Sequence, residues 1–153
     1  MKIVAKNKRA RFDYEIKDTL VAGIVLAGHE VKSVKSGHIS LKGSFISVHA
    51  SEAWLTNAHI TRYQSAANLA SYDPVRSRKL LLHRKQIDEL IGAVKTQGLS
   101  VVPLSVGIER GLVKVELGIG RGKKHFDKRE ATKRRDMLRD ADREIKPRKA
   151  RSN

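Results

Sequence analysis

Apolar and polar positions alternate in twos over much of the first 120 residues, and in threes and fours over two short stretches. Tyr14 to Leu26 (YEIKDTLVAGIVL) is rich in β-branched residues with partial alternation, which predicts a half-buried strand. In "GHEVKSVKSG", Val31 and Val34 lie three apart between Gly28 and Gly37, which predicts a short amphipathic helix closed by a glycine. Its exposed face is expected to carry Glu30, Lys32 and Lys35. Between Ile39 and Ile60, Ile39 and Leu41 alternate, then Ile46 and Val48, with "HASE" as a turn before Ala53 and Leu55. This is the pattern of a hairpin or of two neighbouring strands.

Thr61 to Ser77 has small polar residues, a proline and no clear period, so it reads as a loop long enough to suspect of function. In "HRKQIDELIGAVKTQG", Ile87, Leu90, Ile91 and Val94 follow the i, i+3, i+4, i+7 spacing of a helix that ends at Gly98. Leu99 to Gly120 alternates on both sides of Glu109-Arg110-Gly111, as a hairpin with that tripeptide at its tip would. Several short strands with few helices predict a mainly β protein, a small antiparallel barrel. Phe45, Trp54 and the run Leu80, Leu81, Leu82 are expected in its core.

Charge changes the picture. The 153 residues hold 32 Lys and Arg against 16 Asp and Glu, a net charge of +16, which points to a polyanionic partner, nucleic acid ahead of a membrane surface. The segment 121–153 alone holds 14 basic and 6 acidic residues and thus half of the excess. The chain is therefore read as a folded domain, 1–120, followed by a basic tail, 121–153. Were the tail helical, Met137, Leu138, Ala141 and Ile145 would form one narrow apolar stripe, too thin to dock firmly. It is expected to be disordered alone and to fold on a polyanionic surface, with Pro147 ending any helix.

The chain has no cysteine, which excludes disulfides and thiolate sites. Its N-terminus lacks the apolar run of a signal peptide, and Leu20 to Gly28 is less than half of the roughly 20 residues needed to cross a bilayer. A soluble, cytoplasmic protein is expected.

Candidate chemistry is sparse. The six histidines (29, 38, 49, 59, 83 and 125) have no metal-site spacing, so neither a metal nor a cofactor is expected. "GIGRGKK" fails as a phosphate-binding loop because three residues, not four, separate Gly118 from Gly122 and no Ser or Thr follows the lysine. A glycine-eased exit from the last strand explains it better. No catalytic constellation is visible, and Asp88 with Glu89 suits a solvated helix face.

Basic residues cluster in three places: Lys6, Lys8, Arg9 and Arg11; Arg76, Arg78, Lys79, Arg84 and Lys85; and Lys123, Lys124, Lys128 and Arg129. Three clusters predict an extended contact along a nucleic-acid backbone. Scarce aromatics favour structured RNA over single strands.

Five blocks in order, "NKRARFDYEI" (7–16), "AGIVLAGHEVKSVKSG" (22–37), "EAWLTNAHI" (52–60), "DPVRSRKLLLH" (73–83) and "GKKHFDKRE" (122–130), give the chain a resemblance to the SsrA-binding protein family, also called small protein B. The resemblance implies an OB-like β-barrel that binds the tRNA-like domain of transfer-messenger RNA. It also implies action with elongation factor Tu and alanyl-tRNA synthetase, through that RNA, to rescue stalled bacterial ribosomes. Such a protein is expected to be a monomer and not an enzyme. The alternatives are a general ribosome-associated or structured-RNA-binding protein and, less supported, an RNA-modifying enzyme.

By the same resemblance, RNA binding falls to Glu30 and to Arg78 through His83, with the carboxylate accepting from base or ribose donors and Lys32, Arg78 and Lys79 neutralising phosphates; the basic clusters add Lys8, Arg9, Arg11 and Arg76 as contacts. The alternative for Glu30 is a salt bridge across the barrel. For the tail, the resemblance implies a probe of the small-subunit decoding centre and empty mRNA channel through Gly122, Lys123, Lys124, Phe126, Asp127, Lys128 and Arg129. Phe126 stands where the family often has His or Tyr, which leaves it a stacking role.

Overall fold

A computed structural model describes residues 1–63 and 71–123. In chain order the elements are β1 (Lys2–Lys6), α1 (Lys8–Asp13), β2 (Tyr14–Ile24), α2 (Gly28–Lys35), β3 (Ile39–Ser40), β4 (Phe45–His49), β5 (Glu52–Thr56), β6 (His59–Ile60), β7 (Arg78–Leu81), α3 (Arg84–Lys95), β8 (Ser100–Glu109) and β9 (Leu112–Gly122). Seven strands pair antiparallel in the order β1-β8-β9-β2-β7-β5-β4, and β3 pairs with β6 in a separate ribbon. Strand β4 also comes into contact with β8, so the sheet curls around its core. The mainly β architecture expected from the alternation is the one found.

The long β8–β9 hairpin closes through Arg110 and Gly111, with φ of 52° and 77°. Two left-handed residues in succession twist with the strands, and glycine takes the second without a steric penalty. The glycines of "GIGRGKK" lie in β9, where β2 crosses them closely. A Cβ on Gly120 would come within 2.1 Å of the Glu15 carbonyl oxygen, so backbone proximity demands glycine there. Strand β9 continues to Gly122, which pairs with Tyr14. The folded unit thus ends two residues beyond the expected 120, and Gly122 belongs to it.

The core lies between the inner sheet face and the helices α2 and α3, where Val34, Leu55, Leu80, Leu90, Val106 and Leu117 are buried. Helix α3 buries Ile87, Leu90 and Ala93, whereas Val94, expected on the same stripe, is 40% exposed. Two other core expectations fail for one reason. Phe45 is 49% and Leu81 54% exposed, because in a strand their neighbours Ile46 and Leu80 take the inward positions. Trp54 lies between the buried Ala53 and Leu55, stays half-buried and stacks on His49 across the hairpin.

Candidate nucleic-acid interface

Helix α2 follows the end of β2 after three residues, and its third residue, Glu30, opens the most concentrated charge cluster among the described residues. The expectation that Glu30 lies on the exposed face is wrong: its side chain is fully buried. A buried carboxylate requires partners for both oxygens. Its Oε1 accepts the Ala27 amide (2.9 Å), which caps the helix, and a bond from Arg76 Nη2. Oε2 accepts from Arg78 Nε (2.8 Å), Arg76 Nε (3.1 Å) and the Tyr72 hydroxyl (3.0 Å), whose one proton is also within reach of the Ile60 carbonyl.

Arg78, the first residue of β7, is equally buried. Its guanidinium has five N–H donors, and all five are engaged. Nε meets Glu30; Nη1 meets the carbonyls of Ala58 (2.9 Å) and Arg76 (3.1 Å); Nη2 meets the Tyr72 oxygen (3.0 Å) and the Pro74 carbonyl (3.0 Å). No donor is left for a phosphate. The contact role expected of Arg78 therefore has no free group to carry it in this structure, and its position is that of a tie between α2, Ala58 just before β6, and the segment 72–77.

Burial pushes the Glu30 carboxyl up, but the bonds from Arg76, the Ala27 amide and Arg78, with the Arg78 charge, outweigh it and lower its pKa from 4.5 to about 2. Burial raises the Tyr72 hydroxyl, with the Glu30 carboxylate adding to it. Because the unfolded carboxyl titrates higher than the folded one, the folded state holds fewer protons between the two values. Its contribution, about 3 kcal/mol, is complete above about pH 5 and drains away as pH falls toward 2. A carbon-13 NMR titration of the Glu30 carboxyl is expected to show a midpoint near 2; a midpoint above 4 would contradict the network.

One carboxylate faces two guanidiniums, so the cluster keeps one net positive charge. It emerges at Arg76, the one of the three whose side chain reaches the surface, with 37% exposed. Lys32 is exposed on α2 with its ammonium 5.7 Å from the Tyr63 ring centre, and Lys79 forms a 3.5 Å pair with Glu52 on the outer sheet face. His83 is exposed at the start of α3, its amide bonded to Gln86. Lys32, Arg76, Lys79 and His83 are thus available to a ligand.

Lys8, Arg9 and Arg11 lie on α1, away in sequence and on another element. All three are exposed; Arg9 reaches Asp13 (3.4 Å) and Arg11 reaches Glu116 (3.9 Å). Lys123 follows β9, half-buried. The expected tail residues Lys124, Phe126, Asp127, Lys128 and Arg129, and the stripe from Met137 to Ile145, lie outside the described residues. Among the described residues no group of three His, Cys, Asp or Glu could hold a metal, and no helix is long and apolar enough to cross a membrane.

Tyr72 was missed by sequence reasoning. Its only signal was its position just before the Asp-Pro turn, where Asp73 Oδ1 accepts the Val75 amide (3.0 Å).

Comparison with known proteins fits this geometry. The family described as "SmpB protein" matches residues 4–147. An SsrA-binding protein of Shouchella clausii is 50% identical over 147 residues, covering 96% of this chain and 94% of its own. One from Chloroflexus aurantiacus is 49% identical over 144 residues, covering 94% and 90%. A solved chain described under "tmRNA-SmpB: a journey to the center of the bacterial ribosome" superposes with a TM-score of 0.64 at 44% identity, over 83% of this chain and 92% of that one.

Proposed function

This chain belongs to the SmpB protein family, and from that premise we propose that it binds the tRNA-like domain of transfer-messenger RNA and delivers it to the A site of stalled ribosomes. The single observation that carries the reading is the shared fold, at 44% identity, with the chain described in a tmRNA–SmpB setting on the bacterial ribosome. The physical reading agrees in kind: Lys32, Arg76, Lys79 and His83, at or near the surface around a rigid buried ion-pair cluster with one net positive charge, offer fixed donors to a folded RNA backbone.

In this reading Glu30 and Arg78 are positioning residues. They hold α2 and the strand end so that their exposed neighbours face one ligand. The protein acts by binding, as a monomer in the cytoplasm, and meets elongation factor Tu and alanyl-tRNA synthetase through the RNA. Its basic tail, with Lys124, Phe126, Asp127, Lys128 and Arg129, enters the empty mRNA channel at the decoding centre, where a filled channel would exclude it.

Competition binding at one near-physiological salt concentration tests this, because electrostatic affinity depends steeply on salt. The tRNA-like domain is expected to compete at least about tenfold better than ordinary tRNA or a random RNA of the same length, given the usual gap between specific and non-specific binding. Equal competition by all three would favour the general RNA-binding alternative.

A further inference from the structure

A second concentration of positive charge lies away from the Glu30 cluster. A groove of about 390 Å³ runs between the β1–α1 turn and the β3–β4 turn, lined on its polar side by Lys6, Asn7, Lys8, Arg9, Ser40 and Lys42. No lining residue is acidic, and the three lysines have no ion-pair partner within 4 Å among the described residues.

Both walls are fixed by the fold. On one side, the Asn7 amide donates to the Leu104 carbonyl and its Nδ2 to the Pro103 carbonyl, both at 2.8 Å, which ties the turn between β1 and α1 to β8. On the other, the Lys42 amide donates to Ser40 Oγ (3.3 Å), the Ser44 hydroxyl to the Leu41 carbonyl (2.6 Å), and Asn57 Nδ2 to the Gly43 carbonyl (3.1 Å). Arg9 is further steadied over the Phe12 ring, 5.0 Å from its centre. Like charges held together on rigid walls raise one another's energy, and an anion in the groove relieves that repulsion without ordering the backbone.

We propose that this groove holds a phosphodiester stretch of structured RNA, with Lys42 and Lys6 as contacts from opposite walls. The apolar floor of Val4, Ala5, Ile39 and Leu41 suits a ribose edge beside the phosphates. The proposal rests on the RNA-binding reading above, in which the cluster of Lys6, Lys8 and Arg9 is already expected to meet RNA, and adds to it the opposite wall with Lys42 and the groove that joins the two.

The chain has no cysteine, so Lys42→Cys offers one unique attachment point for an iron chelate that generates hydroxyl radicals. Bound to the tRNA-like domain or to small ribosomal subunits, the probe is expected to cut one short run of RNA backbone, and the strand that is cut identifies the source of the phosphates. No cut in either would overturn the proposal.

Binding gives a second readout. Lys6→Gln combined with Lys42→Gln is expected to weaken binding about tenfold and to flatten the salt dependence by about one to two phosphate contacts, at roughly 0.7–0.9 in slope per contact. Lys17→Gln with Lys95→Gln removes the same charge elsewhere and is expected to leave the slope unchanged. Equal effects from the two pairs would reduce the groove to general charge and sink it. If wild type showed no preference for the tRNA-like domain while the groove pair still flattened the slope, the groove would stand and the proposed function would fall.

Discussion

Arg78→Met is expected to lower the free energy of unfolding by about 3–5 kcal/mol, the range for breaking a buried pair from one side. The loss comes from what stays behind. Glu30 would keep only the part-exposed Arg76 as a counter-charge, while the carbonyls of Ala58 and Pro74 would lose the donors that reach them from Arg78. Because a domain of this size is stable by only about 5–15 kcal/mol, part of the variant should be unfolded under mild conditions. Urea denaturation checks this, and a change below about 1 kcal/mol, the size of an exposed pair, would contradict the network. Glu30→Leu combined with Arg78→Met separates fold from function, since an apolar pair can replace a buried ion pair at little or no loss. That double variant should regain the part of the loss that came from the uncompensated Glu30 charge, though not the bonds to the Ala58 and Pro74 carbonyls, yet bind RNA poorly, as nothing would hold segment 72–77 and Arg76 against α2. Full RNA affinity in a stable double variant would mean that the cluster does not position the contacts.

Ending the chain after Lys123 is expected to abolish tagging of stalled products while changing affinity for the tRNA-like domain by no more than about threefold at physiological salt, the residue being screened non-specific attraction. The cut must follow Lys123 and not Gly120. Gly122 still pairs with Tyr14 and Arg121 with Glu15, so an earlier cut would strip partners from β2 and mix a folding defect with the loss of the tail. A tagging assay on ribosomes stalled without a stop codon, run beside the binding measurement, gives both halves. Normal tagging without residues 124–153 would remove the tail from the mechanism, and lost RNA affinity would mean that the two parts do not divide the work.

The fold was legible wherever one element sufficed to explain a pattern. Alternation located β2, the β4–β5 hairpin and the β8–β9 hairpin, and the 3.6-residue period located α2 and α3, because each needs only its own sequence and a core on one side. The same alternation held more than was taken from it. With Ile46, Val48, Ala53 and Leu55 inward, Phe45 and Trp54 had to lie on the other face, and consecutive leucines in a strand, as Leu80 and Leu81 are in β7, could not both be core. Glu30 is a different kind of miss. A glutamate among lysines on a short helix looks solvated, and what buries it are Tyr72, Arg76 and Arg78, 42 to 48 residues further on. Such a partner depends on how β7 returns beside β2, a long-range pairing that local pattern does not encode. The groove went unread for the same reason: Lys6 and Lys42 line one groove only because β1 and β3 come together in the fold.

The saturated fork of Arg78 also bears on how the segment it closes can change over time. Its donors take the Ala58 carbonyl just before that segment and the Pro74 and Arg76 carbonyls near its end, so the two ends are clasped by one side chain. Once a loop's ends are held, doubling its length adds only about 0.6 kcal/mol of closure entropy, far less than the clasp contributes. Insertions and deletions between Ile60, which is paired in β6, and Tyr72, which bonds to Glu30, therefore cost little, while any replacement of the clasp itself, even arginine by lysine, forfeits several bonds at once. Variation among related chains should accumulate inside the segment and stop at its two ends.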